Sequence, residues 1–288
     1  MSLDTSEQVA AQTIETVAAP VAGQTPVRRV RFRGGTWWQP VAAFFVIVGV
    51  WYAIAAVFAA QARAFLWPFP HEVLYALLLE PTATSQIYPA LLSSALVALT
   101  GLVIAVVLGI TIATLMAQAR WVERSFYPYA VILQCLPILA IAPLIGVLFG
   151  YNFFGKVIVT VLISLFPMIA NTLFGLQAAD KAQRELFQLQ GASRWTRLVK
   201  LQFPAALPSI FVGLRNAAGL SVIGAIVGDQ LLGQGSPGLG VAISVFISRI
   251  QGPETWATIL VASLFGIVVF LIFGLLGRLA VGKWFDLG

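Results

Sequence analysis

The chain has 288 residues, of which 59% are hydrophobic and 10% are charged, whereas a soluble domain carries about 25% charged residues. This composition excludes an ordinary water-soluble protein and predicts a membrane protein. One histidine, one cysteine and three methionines exclude most metal-binding and redox chemistry. The net charge of +6 does not indicate a nucleic-acid partner, because the basic residues lie between apolar runs and form no patch.

The chain begins with a polar segment. Residues 1–27 contain no aromatic side chain and are rich in Ala, Thr and Gln, which predicts disorder. A secretory signal is not indicated, since the basic cluster and the first apolar run start too late. We therefore assign residues 1–35 to a disordered tail with a basic end and residues 36–288 to one transmembrane domain.

Six apolar stretches come after the tail. A helix needs about 20 mostly apolar residues to cross a bilayer, because hydrocarbon offers no partner to an unpaired backbone group. The third and fifth stretches contain Pro137, Pro143 and Pro208, so we expect kinks or local unwinding there. The six predicted spans are Val41–Ala62, Ala90–Met116, Phe126–Phe149, Phe154–Leu176, Ala205–Leu232 and Trp256–Ala280.

The distribution of basic residues predicts the orientation, because cytoplasmic loops are enriched in Lys and Arg. With a cytoplasmic N-terminus, thirteen basic residues would lie inside and three outside. Both termini are therefore predicted to be cytoplasmic. The inner set is Arg28, Arg29, Arg31, Arg33, Arg120, Arg124, Lys181, Arg184, Arg194, Arg197, Lys200, Arg278 and Lys283, and the outer set is Arg63, Lys156 and Arg249.

A long patterned loop at residues 178–204 connects spans four and five. Leu186 and Leu189 share one helical face, and Gly191 suits the position just past a helix end. Ser193 can cap a second short helix, and Pro204 would then begin span five. Two amphipathic helices need a surface for their apolar sides, and the pattern alone leaves lipid headgroups and a partner protein both open.

The loop resembles the EAA loop of ABC-importer permeases, whose pattern is Glu-Ala-Ala, three residues, Gly, nine residues and Ile-x-Leu-Pro. Glu185 and Gly191 fit the pattern, and Leu201–Pro204 falls at the spacing of its last four residues. The departures are Leu186 and Phe187 in place of two alanines, and Phe203 in place of leucine. Further segments resemble permeases of nitrate, sulfonate, taurine and vitamin-precursor importers, namely Gln134–Leu144, Phe166–Gly175 and Gly235–Gly240.

This resemblance implies an all-α membrane protein with the type I ABC importer permease fold, located in a bacterial inner membrane. Its six transmembrane helices would carry a cytoplasmic coupling helix between spans four and five. A separate ATPase dimer would bind ATP and Mg²⁺, so this chain would hold no cofactor. An extracytoplasmic solute-binding protein and a second permease copy would complete the importer. The expected ATPase contacts are Glu185, Gly191, Ala192, Ser193, Arg194, Trp195 and Pro204.

In this family, ATP binding closes the two ATPases and rocks the permease halves between inward- and outward-facing states. The resemblance favours a small anion such as a sulfonate or nitrate, with a vitamin or vitamin precursor as the alternative. Polar side chains inside spans usually pair or line a path, which predicts path residues Gln134, Asn171, Arg215, Asn216 and Asp229. For Arg215, packing near the inner interface is the alternative to lining the path. For Asp229, the alternatives are contact with the binding protein and a solvated position at the end of the span.

Small residues in span five predict close helix packing. Gly219, Gly224 and Gly228 are therefore candidates for a contact between two copies of the chain.

One segment, Gly150–Val157, has the Gly-x4-Gly-Lys spacing of a phosphate loop. Val157 replaces the Ser or Thr that would hold magnesium, and the segment follows a span instead of a strand. We expect Lys156 to snorkel to the outer interface and the chain not to be an enzyme.

Three other classes are less consistent with the sequence. An ion-coupled secondary transporter would show inverted repeats and carboxylates within its spans. A pore or scaffold would leave the 178–204 loop unexplained. A membrane enzyme would need paired carboxylates, a His cluster or an activated Ser, and none is visible.

Overall fold

The computed structural model describes residues 38–233 and 235–282. The predicted tail, the basic cluster at Arg28–Arg33 and Lys283 lie outside the described residues. The described residues form α-helices joined by short turns. Their bounds are α1 Trp38–Ala60, α2 Pro70–Leu78, α3 Pro81–Gln118, α4 Arg120–Cys135, α5 Ile138–Phe149, α6 Phe153–Gln177, α7 Lys181–Leu189, α8 Arg194–Arg197, α9 Phe203–Leu231, α10 Leu239–Ser248 and α11 Gly252–Val281.

Five helical segments are long and apolar enough to cross a membrane, and a bent pair can supply a sixth span. The five are α1, α3, α6, α11 and the segment Arg194–Leu231. The chain divides into two units at Val48 and Gly49. Residues 38–48 form the first part of α1, and helices α2 to α11 all belong to the second unit. The number and type of the elements confirm the all-α membrane fold.

The third predicted span is a bent pair of helices. The axes of α4 and α5 differ by 100° at the break. Leu136 has φ −64° and ψ 129°, an extended conformation that a following proline favours because its ring clashes with an α-helical neighbour. The expected kink therefore occurs at Pro137, whereas Pro143 lies within α5 without ending it.

The entry into the fifth span differs from the prediction. Instead of a new helix starting at Pro204, α8 continues through a π-helical turn at Leu198–Gln202 into α9. The backbone N–H of Phe203 donates to the Leu198 carbonyl, the wider i to i+5 bond of a π-helix. This turn lets the helix pass the proline, which has no N–H of its own to donate.

The core of the second unit is formed where α3 and α9 pack against α6. Glycines permit this close approach: a Cβ on Gly109 would lie 2.7 Å from the Met168 Cβ, and one on Gly224 would lie 2.8 Å from the Thr160 Cα. Small and branched buried side chains fill the remaining space. Helices α3 and α6 thereby hold α9 in a fixed position.

Candidate functional site

The loop between α6 and α9 is shaped by local hydrogen bonds. Asp180 caps α7, since its Oδ1 accepts from the Ala182 N–H at 3.2 Å. Gly191 follows α7 with φ +67°, a left-handed conformation that side chains disfavour. Ser193 caps α8, because its Oγ accepts from the Thr196 N–H at 3.1 Å. The predicted helix end at Gly191 and cap at Ser193 are confirmed.

Apolar side chains of this loop face outward. Leu186 is 52% exposed, Leu189 87% and Trp195 70%. Leu186 occupies the first of the two alanine positions of the EAA pattern and does not enter the core. Phe187 occupies the second alanine position and is only partly buried. The side chains of Leu186, Leu189 and Trp195, which we call the exposed loop face, are open to contact with a partner.

Polar and charged members of the loop are also largely exposed. Glu185 pairs with Lys181 at 4.0 Å, but the two side chains are 60% and 92% exposed, so water screens the pair. Arg194 and Pro204 are exposed, and Ala192 is half-buried. The expected ATPase-contact residues are therefore brought together in one accessible loop.

Arg215 lies between α9 and α11. Its guanidinium carbon is 3.9 Å from the centroid of the Phe270 ring, a cation–π contact. Its Nε is buried and has no hydrogen-bond partner among the described residues. Gly274 leaves room for the side chain, since a Cβ there would lie 3.1 Å from that Nε. Arg215 is thus held at the helix interface with unused hydrogen-bonding capacity.

A groove of about 870 Å³ opens beside this pair. Its lining is mainly aliphatic and comes largely from α9 and α11, with a few polar groups. The lining includes Asn216, Gly219, Ile223, Ser263, Gly266 and Phe270. The structure therefore brings Asn216 and Gly219 to a groove that is also lined by Phe270, the ring against which Arg215 packs.

Two predicted path residues lie elsewhere. Gln134 is exposed near the end of α4. The Asn171 Nδ2 donates to the Pro167 carbonyl at 2.8 Å within α6, which satisfies the amide locally. Neither residue lines the groove.

Asp229 is buried and paired with Lys156, which corrects both sequence expectations. The Lys156 Nζ lies 2.6 Å from the Asp229 Oδ1, and both side chains are 2% exposed. Lys156 therefore does not snorkel, and Asp229 is not a solvated end residue. The cause is tertiary packing: α6 and α9 bury both charges against each other, and a buried charge requires a partner.

The same carboxylate tethers the segment that follows α9. Its Oδ1 accepts from the Gly238 N–H at 3.1 Å, and its Oδ2 accepts from the Val241 N–H at 2.8 Å. Lys156 donates to the Ser236 carbonyl at 2.9 Å. The ion pair therefore fixes residues 235–241, which are a turn and the first residues of α10, against α6 and α9.

The phosphate-loop spacing at Gly150–Val157 has a structural explanation. The Asn152 Oδ1 accepts from the Phe154 N–H at 2.9 Å and from the Gly155 N–H at 3.3 Å, so the protein itself satisfies these donors at the start of α6. Lys156 is engaged by Asp229. The donors that would hold a phosphate are already used.

Two of the three predicted dimer glycines are used inside the chain. Gly224 lies against Thr160, and a Cβ on Gly228 would lie 3.3 Å from the Lys156 carbonyl oxygen. Both are buried against α6, which corrects their assignment to a contact between copies. Gly219 is half-buried beside Phe270 and remains accessible from the groove.

The long apolar helices and the exposed, capped helical loop are those of a multi-span membrane protein. Residues 105–282 match the family of the binding-protein-dependent transport system inner membrane component, and the chain belongs to that family. It is thus a permease subunit of an ABC importer, a multi-pass inner-membrane protein that works with an ATPase and a solute-binding protein and is not itself an enzyme.

Three curated relatives illustrate the range of similarity. The formylaminopyrimidine transport permease protein ThiX of Halalkalibacterium halodurans is 33% identical over 81% of this chain and 90% of its own length. The putative aliphatic sulfonates transport permease protein SsuC of Escherichia coli is 30% identical over 89% of this chain and 90% of its own. The riboflavin transport system permease protein RibX of Chloroflexus aurantiacus is 32% identical over 58% and 62%.

Proposed function

We propose that this permease imports a small anionic solute and that the groove between α9 and α11 forms part of its path. The observation that carries this proposal is the position of Arg215, a cation within a long apolar helix. The Arg215 Nε has no hydrogen-bond partner among the described residues. A charge at such a position is costly and usually serves a path or a partner. A sulfonate or nitrate would supply the oxygen acceptors that the guanidinium lacks.

A second candidate solute is a vitamin or vitamin precursor with a planar ring. Phe270 favours it, because its aromatic ring lines the apolar groove and can stack on a heteroaromatic ring. The relatives ThiX and RibX are named for formylaminopyrimidine and riboflavin transport, and SsuC for aliphatic sulfonates. These names support both candidates.

The proposed importer has two copies of this chain, with both termini and the α6–α9 loop in the cytoplasm. The ATPase dimer would bind ATP and Mg²⁺ and contact the exposed loop face. The expected contacts are Glu185, Gly191, Ala192, Ser193, Arg194, Trp195 and Pro204. The excess of basic residues on that side supports the orientation, and Gly219 beside the open groove is the remaining glycine candidate for a contact between copies.

The substrate is tested first on the binding protein encoded beside this chain, by finding which ligand raises its melting temperature. Uptake of that ligand is then measured in proteoliposomes containing the permease, the ATPase and the binding protein. Arg215→Gln should lower uptake of an anion at least about tenfold, since one charged hydrogen bond is lost, and Arg215→Lys should retain part of it.

Arg124→Gln is the matched control, because Arg124 is exposed on α4 and does not line the groove. It should leave uptake unchanged. Selective binding of an uncharged ring compound, with normal uptake in Arg215→Gln, would replace the anion by the second candidate. Uptake that needs an ion gradient and no ATP would contradict the importer mechanism altogether.

A further inference from the structure

A second cavity, which is polar, lies between the α6–α9 loop and the end of α3. Its volume is about 270 Å³. On α7, Arg184 and Gln188 are one helical turn apart, and on α8 Arg194 and Arg197 are three residues apart, so each helix presents one face to the cavity. The side chains of the exposed loop face do not line this cavity. The polar lining residues are Gln118, Arg184, Gln188, Arg194, Arg197 and Gln202.

This cavity has an excess of hydrogen-bond donors. The Gln118 Nε2 and the Arg184 Nε are buried and have no hydrogen-bond partner among residues 38–233 and 235–282. Three guanidinium groups, which only donate, surround the same space. A buried donor without an acceptor is destabilising, so the cavity is suited to a ligand that offers several acceptors.

The cavity also has uncompensated positive charge. No Asp or Glu is among its lining residues. Within the part of the chain that the structure describes, the ion pairs are Lys156–Asp229 and Lys181–Glu185, so neither involves the three arginines. Like charges around one cavity repel each other, and an anion bound between them removes that repulsion.

We propose that this cavity is a binding site for a phosphate group. The planar guanidinium fork matches the oxygens of a phosphate and binds them in pairs, and the unpartnered amide and Nε donors supply further hydrogen bonds. These donors make up the site without any contribution from the groove between α9 and α11, so the site does not depend on the nature of the transported solute.

The phosphate can come from a lipid headgroup or from solution. The apolar helix α3 ends at Gln118, and Arg120 and the 71% exposed Trp121 come next, a sequence typical of a membrane interface. Basic pockets at such a level bind anionic lipid headgroups. The cavity is also open enough for inorganic phosphate, and the shared chemistry is a tetrahedral oxyanion.

A bound phosphate would join several elements. Arg184 already donates to the Leu176 carbonyl at 3.4 Å and to the Gln177 carbonyl, at the end of α6. An anion shared by Arg184, Arg194 and Arg197 would therefore connect the end of α6 with α7 and α8. The site would hold the loop in one arrangement, and Arg194, one of the expected ATPase contacts, would belong to it.

The test measures thermal unfolding of the full-length permease. The protein is placed in nanodiscs of phosphatidylcholine alone, in the same nanodiscs with added inorganic phosphate, and in nanodiscs containing phosphatidylglycerol. We expect phosphate or phosphatidylglycerol to raise the unfolding midpoint, and the double variant Arg194→Gln/Arg197→Gln to weaken the response at least about tenfold in ligand concentration.

Lys200→Gln is the matched control, because Lys200 is exposed in the π-helical turn and does not line the cavity. It should change the response less than about twofold. Gln118→Leu removes one unpartnered donor without altering charge, so it tests the site even if the double arginine variant does not fold.

The outcomes separate the two sources. A response to phosphatidylglycerol that inorganic phosphate does not reproduce identifies a lipid headgroup as the ligand. A response to inorganic phosphate in phosphatidylcholine identifies a free anion. The proposal is overturned if neither probe shifts the midpoint, or if Lys200→Gln weakens the response as much as the double arginine variant.

Discussion

The Lys156 Nζ and the Asp229 Oδ1 lie 2.6 Å apart with both side chains 2% exposed, and this pair joins the start of α6 to the end of α9. Charges buried to this degree are stable only in each other's presence, because removal of one partner leaves an uncompensated charge in a poorly solvating environment. The pair is therefore a structural constraint on residues 235–241, whose backbone N–H groups at Gly238 and Val241 donate to the same carboxylate.

Substitution of this pair should show strong coupling. Lys156→Met should lower the free energy of unfolding by about 3–5 kcal/mol, since Asp229 remains buried and charged. The double variant Lys156→Met/Asp229→Asn should recover part of this loss, because the charge is removed and the single amide oxygen still accepts from one of the two backbone N–H groups. Thermal unfolding of the detergent-solubilised protein, analysed as a double-mutant cycle, measures the coupling.

The exposed pair of Lys181 and Glu185 provides the control for this cycle. Lys181→Met should leave the unfolding midpoint unchanged, since water already screens both charges. A double variant no more stable than Lys156→Met would show that the two buried residues do not depend on each other.

Gly224 should tolerate no larger side chain. A Cβ there would lie 2.8 Å from the Thr160 Cα, so Gly224→Ala should force α6 and α9 apart and cost about 1–3 kcal/mol. Gly219→Ala on the same helix is the control, because its Cβ would lie 3.6 Å from Phe270, an ordinary contact distance. Equal unfolding midpoints for the two variants would contradict the packing.

Gly191 should couple ATP hydrolysis to transport through its backbone conformation. Its φ of +67° disfavours a β-branched side chain, so Gly191→Val or Gly191→Pro should uncouple uptake from ATP hydrolysis while the protein still inserts and folds. Gly191→Asn should retain coupling, since asparagine tolerates this region. The measurement is ATP hydrolysed per solute imported in proteoliposomes, and normal uptake in Gly191→Val would refute the prediction.

Trp195 should be a main contact of the ATPase. Its side chain is 70% exposed, and a buried tryptophan at an interface commonly contributes at least about 2 kcal/mol. Trp195→Ala should therefore weaken ATPase binding by more than about tenfold, measured by co-purification and titration. Trp121→Ala is the control at 71% exposure; a similar loss in both variants would remove Trp195 from its proposed role.

Local features of this chain were predictable from sequence because their causes are local. Apolar run length determines which segments can span a membrane, and the residues Gly191 and Ser193 determine where α7 ends and α8 begins. Pro137 likewise produces its kink through its own ring and the residue before it. The spacing of Glu185 and Gly191 indicates the family, and the match of residues 105–282 to that family confirms it.

Features that depend on packing between distant residues were not predictable in the same way. Lys156 and Asp229 are 73 residues apart, and nothing near either one indicates the other. A lysine at a span end usually reaches the interface, so the sequence suggested exposure. Gly224 and Gly228 were assigned to a dimer because a sequence does not show which neighbour a small residue faces.

The predicted path residues show the same difference between features with local causes and features that depend on packing. Gln134, Asn171, Arg215, Asn216 and Asp229 are all polar residues in predicted spans. Three-dimensional packing places only Asn216 in the groove lining, and Arg215 reaches the groove through its contact with Phe270. The π-helical turn at Leu198–Gln202 was also missed, because proline normally marks a boundary and the sequence contains no signal for the wider turn.

The absence of a break at Pro204 has a mechanical consequence. The helical segment Arg194–Leu231 has 38 residues, which corresponds to about 57 Å at 1.5 Å per residue. Trp195 lies at one end and Asp229 at the other, so the two residues belong to one stiff body without a hinge at the proline. In the proposed importer, a rotation that the ATPase applies to Trp195 would therefore reach Asp229 as torque and, through the hydrogen bonds of its carboxylate, residues 235–241 at the far end of the helix.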